Sequence, residues 1–146
     1  MLHLGKDIEN RPRNIGMPTG LILMHAAKGM TAKEYADACR WMRDRALGDT
    51  HPSDRDAGRP LIPDPSELPR GGIVGCFRIA TKPMLGPHEM GPPWKMGAQW
   101  GIPITDVRPL PFVPWKGMLG FWRVPPELIA AINAKLAAEG KPGLEE

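Results

Sequence analysis

No apolar run in this chain approaches the ~20 residues a membrane-spanning helix needs. Met1-Leu2-His3-Leu4 is too short, and too soon followed by charge, to act as a secretory leader. A soluble, cytoplasmic chain with no membrane partner is therefore expected. Cysteine is scarce. Cys39 and Cys76 lie far apart inside apolar patterns, which excludes a disulfide framework or a paired zinc motif and predicts two reduced, buried thiols. His3, His25, His51 and His88 are scattered with no zinc-site spacing. Asp54-Arg55-Asp56-Ala57-Gly58 hints at a calcium loop, but Pro65 stands where the bidentate glutamate should be. There is no Gly-rich phosphate loop ending in Lys-Ser/Thr and no Gly-x-Ser-x-Gly elbow, so nucleotide triphosphatase and α/β-hydrolase readings fall. No metal and no cofactor are expected.

What is present fits one domain over residues 1–146, since the chain shows no internal repeat and is long enough to bury a core without staples. The net charge of +3 and the excess of arginine over lysine, eleven to eight, mildly favour a polyanionic partner.

Residues 21–25, a short apolar run after Pro18 and Gly20, read as a buried strand with His25 at its end. Thr31-Ala32-Lys33-Glu34 is a capping box. Tyr35, Ala38, Cys39, Met42 and Ala46 then recur at helical spacing until Gly48, predicting an amphipathic helix over about 32–46. Residues 48–72 hold five prolines and four glycines, too many breakers for either period, and read as a long surface loop. Ile73–Thr81 is β-rich, with Gly75 marking a bend or bulge. A second Pro/Gly/Met-rich connection over 82–98 precedes extended pieces at about 99–104, 107–112 and 118–124, the first an edge or bulged strand because of Pro103. After Pro125-Pro126, an apolar stripe of Leu128, Ile129, Ile132 and Leu136 ends at Gly140 with Pro142 beyond, predicting a C-terminal helix. The order lacks a βαβ rhythm and suits an α+β fold, a closed or nearly closed barrel with peripheral helices.

Lys6, Glu9 and Arg11 concentrate charge near the N-terminus. In an extended chain Glu9 and Arg11 share a face, whereas a helical turn puts Lys6 beside Glu9. Lys6 and Arg11 could contact phosphate or a base edge while Glu9 orients them or accepts from an exocyclic amine; a solvated turn with local ion pairs is the plain alternative. His25 could carry protons, stack on a base, or simply be a hydrogen-bonded core residue. Lys28 lies close to the helix start at Thr31, whose free amides favour an anion. Trp94, Trp100, Trp115 and Trp122 interleave with Lys95, Lys116 and Arg123, as stacking platforms beside a charged groove would; core packing is the plainer reading for most, with loop residue Trp94 the exception.

Several segments in order, Lys6 to Arg11, Leu21 to Thr31, Leu68-Pro69-Arg70-Gly71-Gly72-Ile73-Val74-Gly75 and Leu110 to Val124, resemble the ASCH family of bacterial and phage proteins. The resemblance implies a small PUA-like β-barrel with an inserted amphipathic helix and a C-terminal helix. It also implies a cleft carrying Lys6, Glu9 and Arg11, and RNA or a nucleotide as partner. Together with His25, Lys28, Trp94 and Lys116, these three form the candidate nucleic-acid-binding set. Some members resemble ribonucleases or amidohydrolases acting on modified nucleosides, which makes Lys6 and Glu9 the candidate catalytic pair.

The chain departs from the family at three points. In the amidohydrolase branch a threonine three residues after the lysine resembles the nucleophile; here Glu9 occupies that position, and a carboxylate cannot serve as an activated hydroxyl. The family's Arg-Gly before the second strand is Thr19-Gly20 here. Related sequences carry a further strand with Gln-Pro-Trp ahead of the position of Met1, so an unpaired barrel edge and self-association through it are expected.

Overall fold

The computed structural model describes residues 6–14, 16, 18–41, 63–92 and 94–144. Among them are four strands, β1 (Ile8–Arg11), β2 (Leu21–Ala26), β3 (Gly72–Ile79) and β4 (Trp100–Pro114), and two helices, α1 (Ala32–Trp41) and α2 (Pro126–Ala138). The strands form one antiparallel sheet in the order β1-β4-β3-β2. The α+β class is thus the observed one.

β1 resolves the choice left open for the N-terminal charges in favour of extended backbone. Ile8 is buried opposite Pro103, and Glu9 and Arg11 fall on the other face, opposite Ile102 and Trp100. The expected pieces 99–104 and 107–112 are a single strand, β4, which lies inside the sheet and not at its edge. Pro109 and Pro111 are tolerated because the pairing with β3 is irregular there. Cys76 faces Arg108 and Arg78 faces Thr105, so β4 carries one extra residue there, with Asp106 in the left-handed region at φ 51°. A further shift lies between Ile73 and Gly75, where β4 advances from Val113 to Pro109. Gly72 is required at the β3–β4 crossing, since a Cβ there would collide with the Val113 carbonyl and the Phe112 ring.

Residues 118–124 form no strand, contrary to the sequence expectation. Gly120 turns the backbone at φ 77°, Leu119 projects fully into solvent, and the segment pairs with no strand among the described residues.

α2 packs its stripe onto β3 and β4. Leu128, Ile132 and Leu136 are buried against Ile73, Cys76, Leu110 and Val113, and Trp115 and Trp122 flank this core. The helix starts on Pro126 and stops in a Schellman arrangement: Gly140 N–H donates to Ala137 O at 3.0 Å and Lys141 N–H to Leu136 O at 2.9 Å, with Gly140 at φ 66°. The capping box of α1 forms as expected. Glu34 N–H donates to Thr31 Oγ1 at 3.1 Å, and Thr31 N–H donates to Glu34 Oε2 at 2.7 Å. α1 buries none of its residues, and its expected continuation to residue 46 lies outside the described residues, as does most of loop 48–72. Cys76 is buried, while Cys39, expected to be buried, is only half-buried, like the rest of α1 never reaching the core of the described residues; both are free thiols. No described helix is long and apolar enough to cross a membrane.

Candidate functional site

β1 and β2, at opposite edges of the sheet, both contribute to a cleft of about 710 Å³. Glu9 and Arg11 reach it from β1, His25 from β2, Val74 and Phe77 from β3, and Phe121 and Trp122 from the irregular segment after β4. Leu68 and Pro69, just ahead of β3, complete the wall.

Glu9 sits between two cations. Its Oε2 lies 3.3 Å from Lys6 Nζ and its Oε1 3.1 Å from Arg11 Nη2. The triad therefore carries one net positive charge, and both carboxylate oxygens are engaged. Arg11 Nε is buried with no hydrogen-bond partner, and it is the only such side-chain atom among the described residues. An unsatisfied buried donor costs about 1–3 kcal/mol, and because this atom is shielded, a ligand in the cleft meets the exposed remainder of the Arg11 side chain, which is 42% exposed. His25 Nε2 lies 2.9 Å from the Trp115 carbonyl oxygen, which ties β2 to the segment beyond β4. Gly117 packs directly on the same ring.

The sequence-derived candidates thus separate. Glu9, Arg11 and His25 line one cleft, and Lys6 joins them through Glu9. Lys28 is exposed, with its stem beside Gly71, and does not line the cleft. Lys116 is exposed between Trp115 and Gly117, also outside the lining. Trp94 lies elsewhere, its ring 5.5 Å from that of Trp41 and its carbonyl accepting from Asn10 Nδ2 at 2.7 Å. Lys95 does not line a charged groove with the tryptophans. It is 6% exposed, and its ammonium donates to the Met96 and Gly97 carbonyls at 3.0 and 3.2 Å.

Sequence reasoning missed Asn10, Phe77, Phe121 and Gly117. Asn10 staples β1 to the connection before β4, since its Oδ1 also accepts from Met96 N–H at 2.9 Å. Its place between Glu9 and Arg11 in an extended segment was the one available signal. Nothing local marks Phe77 or Phe121 as a cleft wall. A second cleft of about 440 Å³ is lined by Arg78, Asp106 and Arg108 near the β4 irregularity, with Arg78 Nε 4.0 Å from Asp106 Oδ2. Among the described residues no group of three or more histidine, cysteine or acidic side chains could hold a metal ion.

Together these groups can hold a flat, partly polar ligand. Phe121 and Trp122 offer apolar and aromatic surface, Arg11 donates, and His25 supplies a ring nitrogen. No protein-family model and no curated protein matches this chain.

Proposed function

We propose that the chain is an ASCH-type, PUA-like module that binds single-stranded RNA or a nucleotide in the cleft between β1 and β2. The observation that carries this reading is the joining of Glu9, Arg11 and His25 in one cleft with aromatic walls, from segments far apart in sequence. RNA-binding surfaces commonly pair exposed rings for unstacked bases with cations for phosphate, and this cleft offers the exposed Phe121 ring, the partly exposed Trp122 ring and the Arg11 guanidinium. The bulged sheet, with its long central β4, accords with the curvature of a small barrel.

The engaged state of Glu9 favours recognition over hydrolysis. A carboxylate held by Lys6 on one oxygen and Arg11 on the other is poorly placed to take a proton from a nucleophile. β1 is an edge of the sheet, and self-association along it belongs to the same proposal. Light scattering across a concentration series checks it, a constant monomer mass counting against it.

Fluorescence anisotropy with a short single-stranded RNA at two salt concentrations tests the binding. Affinity is expected to fall as salt rises, because cations that replace counterions on phosphate make binding salt-dependent. Binding that is undetectable or indifferent to salt sinks the reading. Turnover of RNA or of an N-acylated cytidine, abolished by Lys6→Ala, would replace recognition with hydrolysis.

A further inference from the structure

The segment leaving β4 holds His25 in two ways. A carbonyl oxygen only accepts, so the 2.9 Å contact between His25 Nε2 and Trp115 O places a proton on Nε2. In the neutral imidazole Nδ1 then carries a lone pair. Two residues further, Gly117 lies against the ring. A Cβ added there would fall 2.5 Å from Cε1, 2.7 Å from Nδ1 and 2.9 Å from Nε2. Such similar distances to three ring atoms put that Cβ above the ring face, where no side chain fits. The ring has no second partner, and Nδ1 is not among the buried, unpartnered atoms of the described residues. It is therefore reachable from the cleft that His25 lines.

We infer that Trp115 and Gly117 are positioning residues that fix His25 as the Nε2–H tautomer, making Nδ1 a dedicated acceptor for an O–H or N–H donor of the ligand. The tautomer stands on geometry alone; the donor rests on the RNA-binding reading above. One ring face is occupied by Gly117, so His25 contributes through Nδ1 and not as a two-sided stacking platform. The donor is either the ribose 2′-hydroxyl or a base N–H, and these can be told apart.

Side-chain ¹⁵N NMR of the full chain without ligand, recorded well above the ordinary histidine titration range, tests the tautomer. The expected spectrum has a protonated-type Nε2 and an unprotonated-type Nδ1. In Gly117→Ala the added methyl displaces the ring from the Trp115 carbonyl, and the two nitrogens move toward the averaged shifts of a free imidazole. A protonated Nδ1 in the wild-type chain overturns the inference, as does an unaltered spectrum in a folded Gly117→Ala variant; if that variant fails to fold, the wild-type spectrum decides.

The donor is tested with oligouridine and oligodeoxyuridine of equal length, against wild type and His25→Ala. Loss of one hydrogen bond weakens binding about tenfold. A loss confined to the ribo-oligomer assigns the 2′-hydroxyl, an equal loss in both assigns a base N–H, and no loss in either refutes the donor. Absence of wild-type binding refutes the donor and the RNA reading together while the tautomer result stands by itself.

Discussion

Arg11 carries the available charge of the cleft. Glu9 engages both cations, Lys6 at 3.3 Å and Arg11 at 3.1 Å, but only Arg11 lines the cleft, with 42% of its side chain exposed against 22% for Lys6. Arg11→Ala is therefore expected to weaken RNA binding by about 1–3 kcal/mol and to lower the salt dependence by about one phosphate contact. Lys6→Ala, removing a cation outside the lining, is expected to cost less. Anisotropy titrations of both variants check the ranking; equal losses, or a larger loss for Lys6→Ala, contradict it. At this scale the sequence was informative about charge and silent about surroundings. The spacing of Glu9 and Arg11 already put them on one face if extended, but the partners of His25, ninety and more residues downstream, are invisible to any local pattern.

Elements with local signatures were legible, and those depending on neighbours were not. The capping box formed where the sequence placed it because it closes within three residues, and the α2 stripe because its spacing marks one helix face whichever distant strands cover it. The sequence reads β4 as two pieces because proline has no N–H to give a ladder; Pro109 and Pro111 fall at the register shift opposite Ile73 and Gly75, while Pro103 sits opposite Ile8 of β1. The segment 118–124 has strand-like composition but pairs with no strand among the described residues, and composition loses that contest.

The α1 cap makes a pH prediction at this scale. The Thr31 backbone N–H, and then its hydroxyl, hold the Glu34 carboxyl below the usual carboxylate range. A carboxyl whose folded-state titration is depressed stabilises the fold above its unfolded value and loses that contribution as pH falls through the lowered folded value. The first turn of α1 is thus expected to fray at acid pH, below the ordinary glutamate range. Thr31→Ala is expected to loosen the same turn already at neutral pH and to flatten the response. Backbone chemical shifts of Ala32–Trp41 followed through an acid titration check both, and a Thr31→Ala profile superimposable on wild type contradicts them.

At the scale of the molecule, one core supports a cleft assembled from distant segments. α2 clamps β3 and β4, and the chain between them, Trp115 to Val124, is anchored by Trp115 and Trp122 against that core while Phe121 and Trp122 line the cleft. Ile132 is fully buried, so Ile132→Ala is expected to destabilise the chain by about 2–5 kcal/mol. A denaturant midpoint that moves down at constant slope is the expected result; a midpoint unchanged from wild type contradicts this placement of the core. The cleft was not legible in the sequence because its walls meet only once the sheet order β1-β4-β3-β2 is formed.

The central claim is that this cleft receives single-stranded RNA, and chemical-shift mapping with a short oligoribonucleotide tests it most directly. The largest shifts are expected at Glu9, Arg11, His25 and Trp122. Absence of shifts, or shifts centred on the separate cleft of Arg78 and Arg108, contradicts it.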